Sequence, residues 1–238
     1  MSFSNVNFIL FKPQLAENIG ATARALKNFN FTKLKIVLPK INFPNDRIIA
    51  TSVGAKDIIN SSKIYKNFED AIEDMDYVIA TSSRIRKKNY KYLAIEELKK
   101  LNFNKKIAIV FGPEASGLSN KELSYANYLI KLPTNVKFQS LNISHCVILI
   151  CFEIFKILNK KTKKFKSRYK YNLVKKREIN KFVKFLINSL DQIGFLQPSH
   201  KRESMIQNVN SIFHKMNLSD KEMRILLGIF SSLKDRKG

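Results

Sequence analysis

Apolar positions along the chain fall into two alternating patterns. Val6 to Phe11 (VNFILF), Lys33 to Leu38, Tyr77 to Ala80, Lys106 to Phe111 (KIAIVF) and Tyr128 to Leu132 are short, nearly continuous apolar runs bounded by polar or turn-forming residues, and runs of that length predict buried strands. Between them the spacing becomes helical. Ile19, Ala23, Leu26 and Phe29 recur on one helix face, with Asn18 expected as N-cap and Gly20 leaving room for a close approach in the first turn. Arg24 follows one turn later, off the apolar stripe. Further helices are predicted around Asp46 to Ile59, at Asn67 to Asp74 with Asn67 as cap, at Ala94 to Leu101, and after a capping box at Ser119 to Glu122. Strand-helix-strand alternation predicts an α/β domain with a mostly parallel sheet.

The last strand leads into LPTNVKFQSLNIS and then into Ile143 to Leu158, apolar on nearly all sides. This predicts a buried helix entered through Ser140, Asn142 and Ser144. Beyond Leu158 the composition turns basic and aromatic, from Lys160 to Arg177 with Phe165, Tyr169 and Tyr171 interleaved, as expected of a linker or an RNA-contacting arm. Three helix patterns close the chain. Their apolar positions are Phe182, Leu186, Leu190 and Ile193; then Met205, Ile212 and Met216; then Met223, Leu226, Phe230 and Leu233, the last opened by a Ser219 to Glu222 capping box. The expected organisation is a domain over 1–159, a basic linker over 160–177 and a helical extension over 178–238.

Charge adds a partner. Forty-three Lys and Arg against 19 Asp and Glu give a formal net charge of +24, the electrostatic footprint of a protein that binds a polyanion, with nucleic acid as the leading candidate. Cys146 and Cys151 sit on the apolar helix, spaced for neither a disulfide framework nor a CxxC pair; core thiols in a reducing compartment are expected. No secretory leader pattern and no charge-free apolar run of about 18 residues is present, so the expected location is the cytoplasm, without a membrane anchor. The seven glycines form no GxGxxG motif. Gly112 and Gly117 have P-loop spacing, but Leu118 and Ser119 occupy the positions that would hold phosphate and magnesium. The three histidines lack metal-ligand spacing, so no metal is expected.

Three polar junctions remain, each at the end of a predicted strand: Thr81 to Arg84, Gly112 to Leu118, and Gln139 to Asn142. Open α/β sheets bind ligands at such carboxyl ends. Three blocks, Asn18-Ile19-Gly20-Ala21-Thr22-Ala23-Arg24-Ala25-Leu26-Lys27-Asn28, Phe111-Gly112-Pro113-Glu114-Ala115-Ser116-Gly117-Leu118, and Leu132-Pro133-Thr134 with Gln139-Ser140-Leu141-Asn142-Ile143-Ser144, resemble the SPOUT-class RNA 2'-O-methyltransferases. The tail segments Leu190 to Leu196 and Ile225 to Ile229 are similar to the helical extension of the TrmJ-type branch, enzymes that methylate cytidine or uridine ribose at position 32 of the tRNA anticodon loop.

That resemblance implies a C-terminal trefoil knot in the α/β domain, a homodimer, and S-adenosylmethionine as cofactor. It assigns the cofactor to Thr81, Ser82, Ser83, Gly112, Gly117, Leu118, Leu132, Gln139, Ser140 and Leu141. It gives Arg24 the leading catalytic role, with Glu114, Ser140 and Asn142 beside it. On the tRNA side the expected contacts are Arg24, Arg84, Lys160, Lys161, Lys163 and Lys164. Two alternatives stay open: the same chemistry at another tRNA position or on ribosomal RNA, and a non-catalytic RNA-binding protein with this fold.

Overall fold

The computed structural model describes residues 3–86, 90–159 and 173–235; Lys160, Lys161, Lys163 and Lys164 lie outside them. Seven strands form one sheet in the order β3-β2-β1-β6-β4-β7-β5. They are β1 (Val6–Phe11), β2 (Lys33–Val37), β3 (Lys63–Tyr65), β4 (Tyr77–Thr81), β5 (Tyr92–Leu93), β6 (Ile107–Phe111) and β7 (Tyr128–Ile130). Every pairing is parallel, with Phe8 beside Leu34 on one side and Ile109 on the other. The central strands β1 and β6 are buried at every position, which explains their unbroken apolar runs.

The edges depart from expectation. β3 and β5 were not predicted: they are three and two residues long and partly exposed, too short and too polar to stand out as apolar runs. The helix expected over Asp46 to Ile59 is two helices, α2 (Asp46–Thr51) and α3 (Lys56–Ser61); the first is capped at Ser52, and the turn between them contains Gly54 at a left-handed φ of 74°. Ala94 to Leu101 holds a 3-10 helix over Ile95–Lys100. α4 (Phe68–Ile72) begins as predicted, with the Asn67 side chain accepting from the Asp70 N–H.

α1 (Ala16–Asn28) starts two residues before the expected cap. Asn18 is therefore inside the helix, only 5% exposed, and is not its N-cap. Gly20 is where α1 meets α2, because a Cβ there would lie 2.7 Å from the Ile48 carbonyl oxygen. α5 (Asn120–Leu123) opens with the Ser119/Glu122 capping box. α6 (Ile143–Asn159) packs on α1, burying Ile143, Val147, Ile150, Cys151 and Ile154. Its opposite side corrects the expectation of a fully buried helix: Ile148, Leu149 and Phe152 are 39%, 44% and 49% exposed.

The tail comprises α7 (Lys176–Gln192), α8 (Ser199–Lys215) and α9 (Asp220–Asp235) around Phe182, whose ring lies 4.8 Å from Phe213 and 5.7 Å from Phe230. α8 buries a different face from the one its apolar spacing predicts. Phe213 and His214 are buried, whereas Ile212 and Met216 are exposed, as are Ile193 and Leu233 at the ends of the other two stripes. The tail docks where β4 and β7 begin: the Arg177 N–H donates to Glu73 O and the Lys176 N–H to Met75 O, while Asn127 Nδ2 donates to Asn217 Oδ1. Lys176, expected in a solvated basic linker, is fully buried, its ammonium nitrogen 2.8 Å from His214 O. No helix among the described residues is long and apolar enough to cross a membrane.

Candidate active site

The carboxyl ends of β4, β6 and β7 open into a cavity of about 350 Å³, within the range of small-molecule sites. Its walls are the three polar junctions. Thr81 ends β4 and its hydroxyl donates to Val110 O, tying this strand end to β6. The Ser82 N–H donates to Ile130 O, tying the same loop to β7. After β6 the chain folds back on itself: the Gly117 N–H reaches Pro113 O at 2.8 Å, and a Cβ on Gly112 would collide with the Leu118 N–H and sit 2.6 Å from the Gly117 carbonyl carbon. Gly117 itself has φ 67°. Only glycine fits the first position without moving backbone, and glycine is favoured at the second.

Behind this wall a chain of side-chain hydrogen bonds joins segments far apart in sequence. Glu114 accepts from Asn18 Nδ2 at 2.9 Å and from the backbone N–H groups of Gln14 and Leu15. Asn18 Oδ1 in turn accepts from Asn142 Nδ2 at 2.8 Å. Asn142 uses its oxygen to cap α6, receiving the Ser144 N–H and hydroxyl. Asn18 thus spends its amide on Glu114 and its carbonyl on Asn142, fixing the start of α1, the loop after β6 and the start of α6 to one another. A carboxylate receiving several donors is held strongly in place.

The structure gathers most of the residues anticipated from sequence. Thr81, Ser82, Ser83, Arg84, Gly112, Glu114, Gly117, Leu132, Gln139, Ser140 and Leu141 all line the cavity. Leu118 does not: it is buried under the fold-back of the loop and packs into the core beside Leu123 and Leu129. Asn142 stands behind the wall. Arg24 is exposed on α1, outside the cavity lining, and makes no hydrogen bond or ion pair with the described residues. Three contributors were not singled out from sequence: Asn18 as the link, Gln14, whose side-chain Oε1 accepts from the Ala115 N–H, and Arg86, which also lines the cavity. Cys146, expected as a core thiol, is at the cavity wall, but burial pushes its pKa up to about 11, so it is a thiol rather than a nucleophilic thiolate. Among the described residues no group of three or more His, Cys, Asp or Glu side chains could hold a metal ion.

Comparison with known proteins agrees with this geometry. A family described as the SpoU rRNA Methylase family matches residues 5–152, and one described as tRNA methyltransferase TrmJ, C-terminal domain, matches residues 177–238. The tRNA (cytidine-2'-O-)-methyltransferase TrmJ of Methanocaldococcus jannaschii is 34% identical over 94% of this chain and 98% of its own length. The tRNA (cytidine/uridine/adenosine-2'-O-)-methyltransferase TrmJ of Pseudomonas aeruginosa is 31% identical over 95% of this chain and 92% of its own. A crystal structure of TrmJ from Z. mobilis ZM4 superposes with a TM-score of 0.85 at 27% identity, covering 96% of this chain and 98% of that one. On sheet, cavity and tail together, the chain belongs to the SpoU methylase family, in its TrmJ branch.

Proposed function

We propose that this protein methylates a ribose 2'-hydroxyl of tRNA, at a cytidine or uridine of anticodon-loop position 32, with S-adenosylmethionine as donor. The observation that carries the reading is the Glu114–Asn18–Asn142 chain, which joins the three sequence blocks at the edge of a single cavity. The cavity's residues fit the donor: small side chains and a glycine without room for a Cβ leave main-chain groups close to a ligand. Thr81, Ser82, Ser83, Gly112, Gly117, Leu132 and Gln139 to Leu141 would hold it. When bound, the donor supplies a methyl group made electrophilic by its sulfonium.

The chain's own residues then have to place a 2'-hydroxyl in line and stabilise the oxygen as its proton leaves. Arg24 is assigned that task. A guanidinium stays protonated in proteins, so it serves as a clamp on a substrate phosphate and as a partner of the developing oxyanion rather than as a base. Glu114 and Asn142 set the loops through Asn18, and Ser140 faces the cavity to orient the ribose. The proton leaves to the phosphate or to water.

The proposal includes a homodimer and the knotted threading of the C-terminal part of the domain. Ile148, Leu149 and Phe152 form an exposed apolar stripe on α6, a surface that a second copy would cover. Residues 1–159 form the catalytic domain and 178–238 the tail, with the basic segment between them meeting tRNA; Arg84, exposed at the cavity rim, is on the same side of the reaction. The protein would work in the cytoplasm, on its tRNA.

The test is transfer of labelled methyl from S-adenosylmethionine to unmodified bulk tRNA, followed by nucleoside digestion. Labelled 2'-O-methylcytidine or 2'-O-methyluridine, lost in Arg24→Ala, is the expected result. Label in 2'-O-methylguanosine would reject the assigned position, and label retained by Arg24→Ala would reject the role of the arginine.

A further inference from the structure

We propose that Arg86 is a positioning residue of the cavity: its guanidinium braces the two loops that face each other across it, and so sets the width of the donor site. The inference rests on the cavity being the donor site. Arg86 follows β4 and is half-buried on the cavity wall. Its Nη2 donates to Leu118 O at 2.9 Å, on the far loop, and its Nε points to Ser82 Oγ at 3.4 Å, on its own loop. The backbone is held as well, because the Arg86 N–H donates to Tyr92 Oη at 2.9 Å.

The partner atoms show why this contact is structural for the site. Ser82 Oγ donates to Arg84 O and accepts from the Arg84 N–H as well as facing Arg86 Nε. The Ser82 hydroxyl is therefore engaged in holding its loop. Leu118 O belongs to the residue whose fold-back leaves no room for a Cβ on Gly112, so a charged donor on that carbonyl holds the glycine loop from outside. A Cβ on Gly117 would lie 3.8 Å from Arg86 Nη2, which puts the guanidinium directly against the tip of that loop. Both bonds use one rigid planar fork, whereas the single ammonium of a lysine presents no such fixed pair of donors.

The experiment measures S-adenosylmethionine binding by calorimetry and tRNA binding by filter retention for wild type, Arg86→Ala and Arg86→Lys, with methyl-transfer kinetics alongside. A hydrogen bond from a charged group predicts that both variants weaken donor binding roughly tenfold to a hundredfold. The donor KM should rise in step while kcat at saturating donor stays within about threefold. tRNA affinity and its salt dependence should be unchanged, and guanidinium ion at non-denaturing concentration should restore donor affinity to Arg86→Ala. Donor affinity retained by both variants would overturn the brace. So would a loss of donor affinity that guanidinium leaves uncorrected, or a loss of tRNA affinity with a shallower salt slope, which would make Arg86 an RNA contact instead. If the alanine variant does not fold, the lysine variant decides on donor affinity and the KM–kcat split. Wild-type protein that fails to bind the donor would reject the reading of the cavity itself, separately from Arg86.

Discussion

The two ends of β4 and β7 are stabilised in opposite ways. At the carboxyl ends, Thr81, Ser82 and Ile130 feed loops tied together by hydrogen bonds, with Glu114 receiving three donors and Arg86 spanning from Ser82 to Leu118, around a cavity open to ligand. At the amino ends, Met75, Asn127 and Tyr128 meet the tail, and two basic groups are buried there with no counter-charge hydrogen-bonded to them among the described residues. Lys176 meets only a carbonyl through its ammonium group, and neither ring nitrogen of His214 has a partner among the described residues. Burial pushes the Lys176 pKa down to about 7; burial, then the neighbouring Lys176, holds His214 well below its usual range. One end keeps its shape through hydrogen bonds that survive exposure to water, whereas the other depends on water being excluded.

The largest effect should come from cutting the hydrogen-bonded end at its link. Asn18→Ala leaves Glu114 and Asn142 without the residue that joins them, and we expect methyl transfer to fall on the order of a hundredfold to a thousandfold, the scale of losing one preorganised hydrogen-bond partner at a reaction centre. The tail should not notice. Thermal unfolding that shifts the tail and the catalytic domain together, or activity within a few-fold of wild type, would remove Asn18 from the set of positioning residues.

Asn18 also marks where sequence reading stops. Its partners are 96 and 124 residues away, so no local pattern could distinguish a link from a helix cap, and the helix begins three residues earlier than a cap at Asn18 would have it. Strands β1 and β6 were legible because both their faces are buried and every position is apolar. β3 and β5 were not, since two or three residues carry no period. The cavity loops were recognisable as blocks, and Gly112 has a reason visible only in three dimensions, the close return of Leu118. Lys176 was the strongest inversion: within a run of lysines nothing signals burial, which is imposed by docking against Met75 and His214. α6 was legible as a helix, yet its all-round apolarity described two different surfaces, one against α1 and one exposed.

The desolvated end is tested by pH. The folded protein releases the Lys176 proton near pH 7 and the unfolded chain near the ordinary lysine value of 10.5. Between those values the unfolded state binds more protons, so stability rises with pH, by at most about 1.4 kcal/mol per pH unit from this one group. Below pH 7 both states are protonated and Lys176 contributes no slope; His214 adds a rise in the same direction as pH climbs toward 6.5. Lys176→Met, of similar length and without charge, should raise stability by about 1 to 4 kcal/mol at pH 6, and its advantage should shrink as pH rises. Thermal melts at pH 6, 7, 8 and 9 check this. A wild-type melting curve that does not move between pH 7 and 9, or a methionine variant with the wild-type slope, would mean that the lysine is not desolvated as described.

The smallest effect concerns the segment that runs from α6 at the cavity to α7 in the tail, and it should leave both ends untouched. Lys160, Lys161, Lys163 and Lys164 supply four positive charges in five residues, and phosphate contacts release counterions. Changing all four to glutamine should weaken tRNA binding by about tenfold at moderate salt and flatten the dependence of log affinity on log salt by roughly 3 if each lysine meets one phosphate. Donor affinity and the pH slope of the tail should stay at wild-type values, since neither the cavity wall nor the buried Lys176 depends on these side chains. Unchanged tRNA binding across the salt series would reduce the segment to a tether, and the excess positive charge that meets tRNA would then have to be sought on the folded surfaces at either end, beginning with Arg84 at the cavity rim.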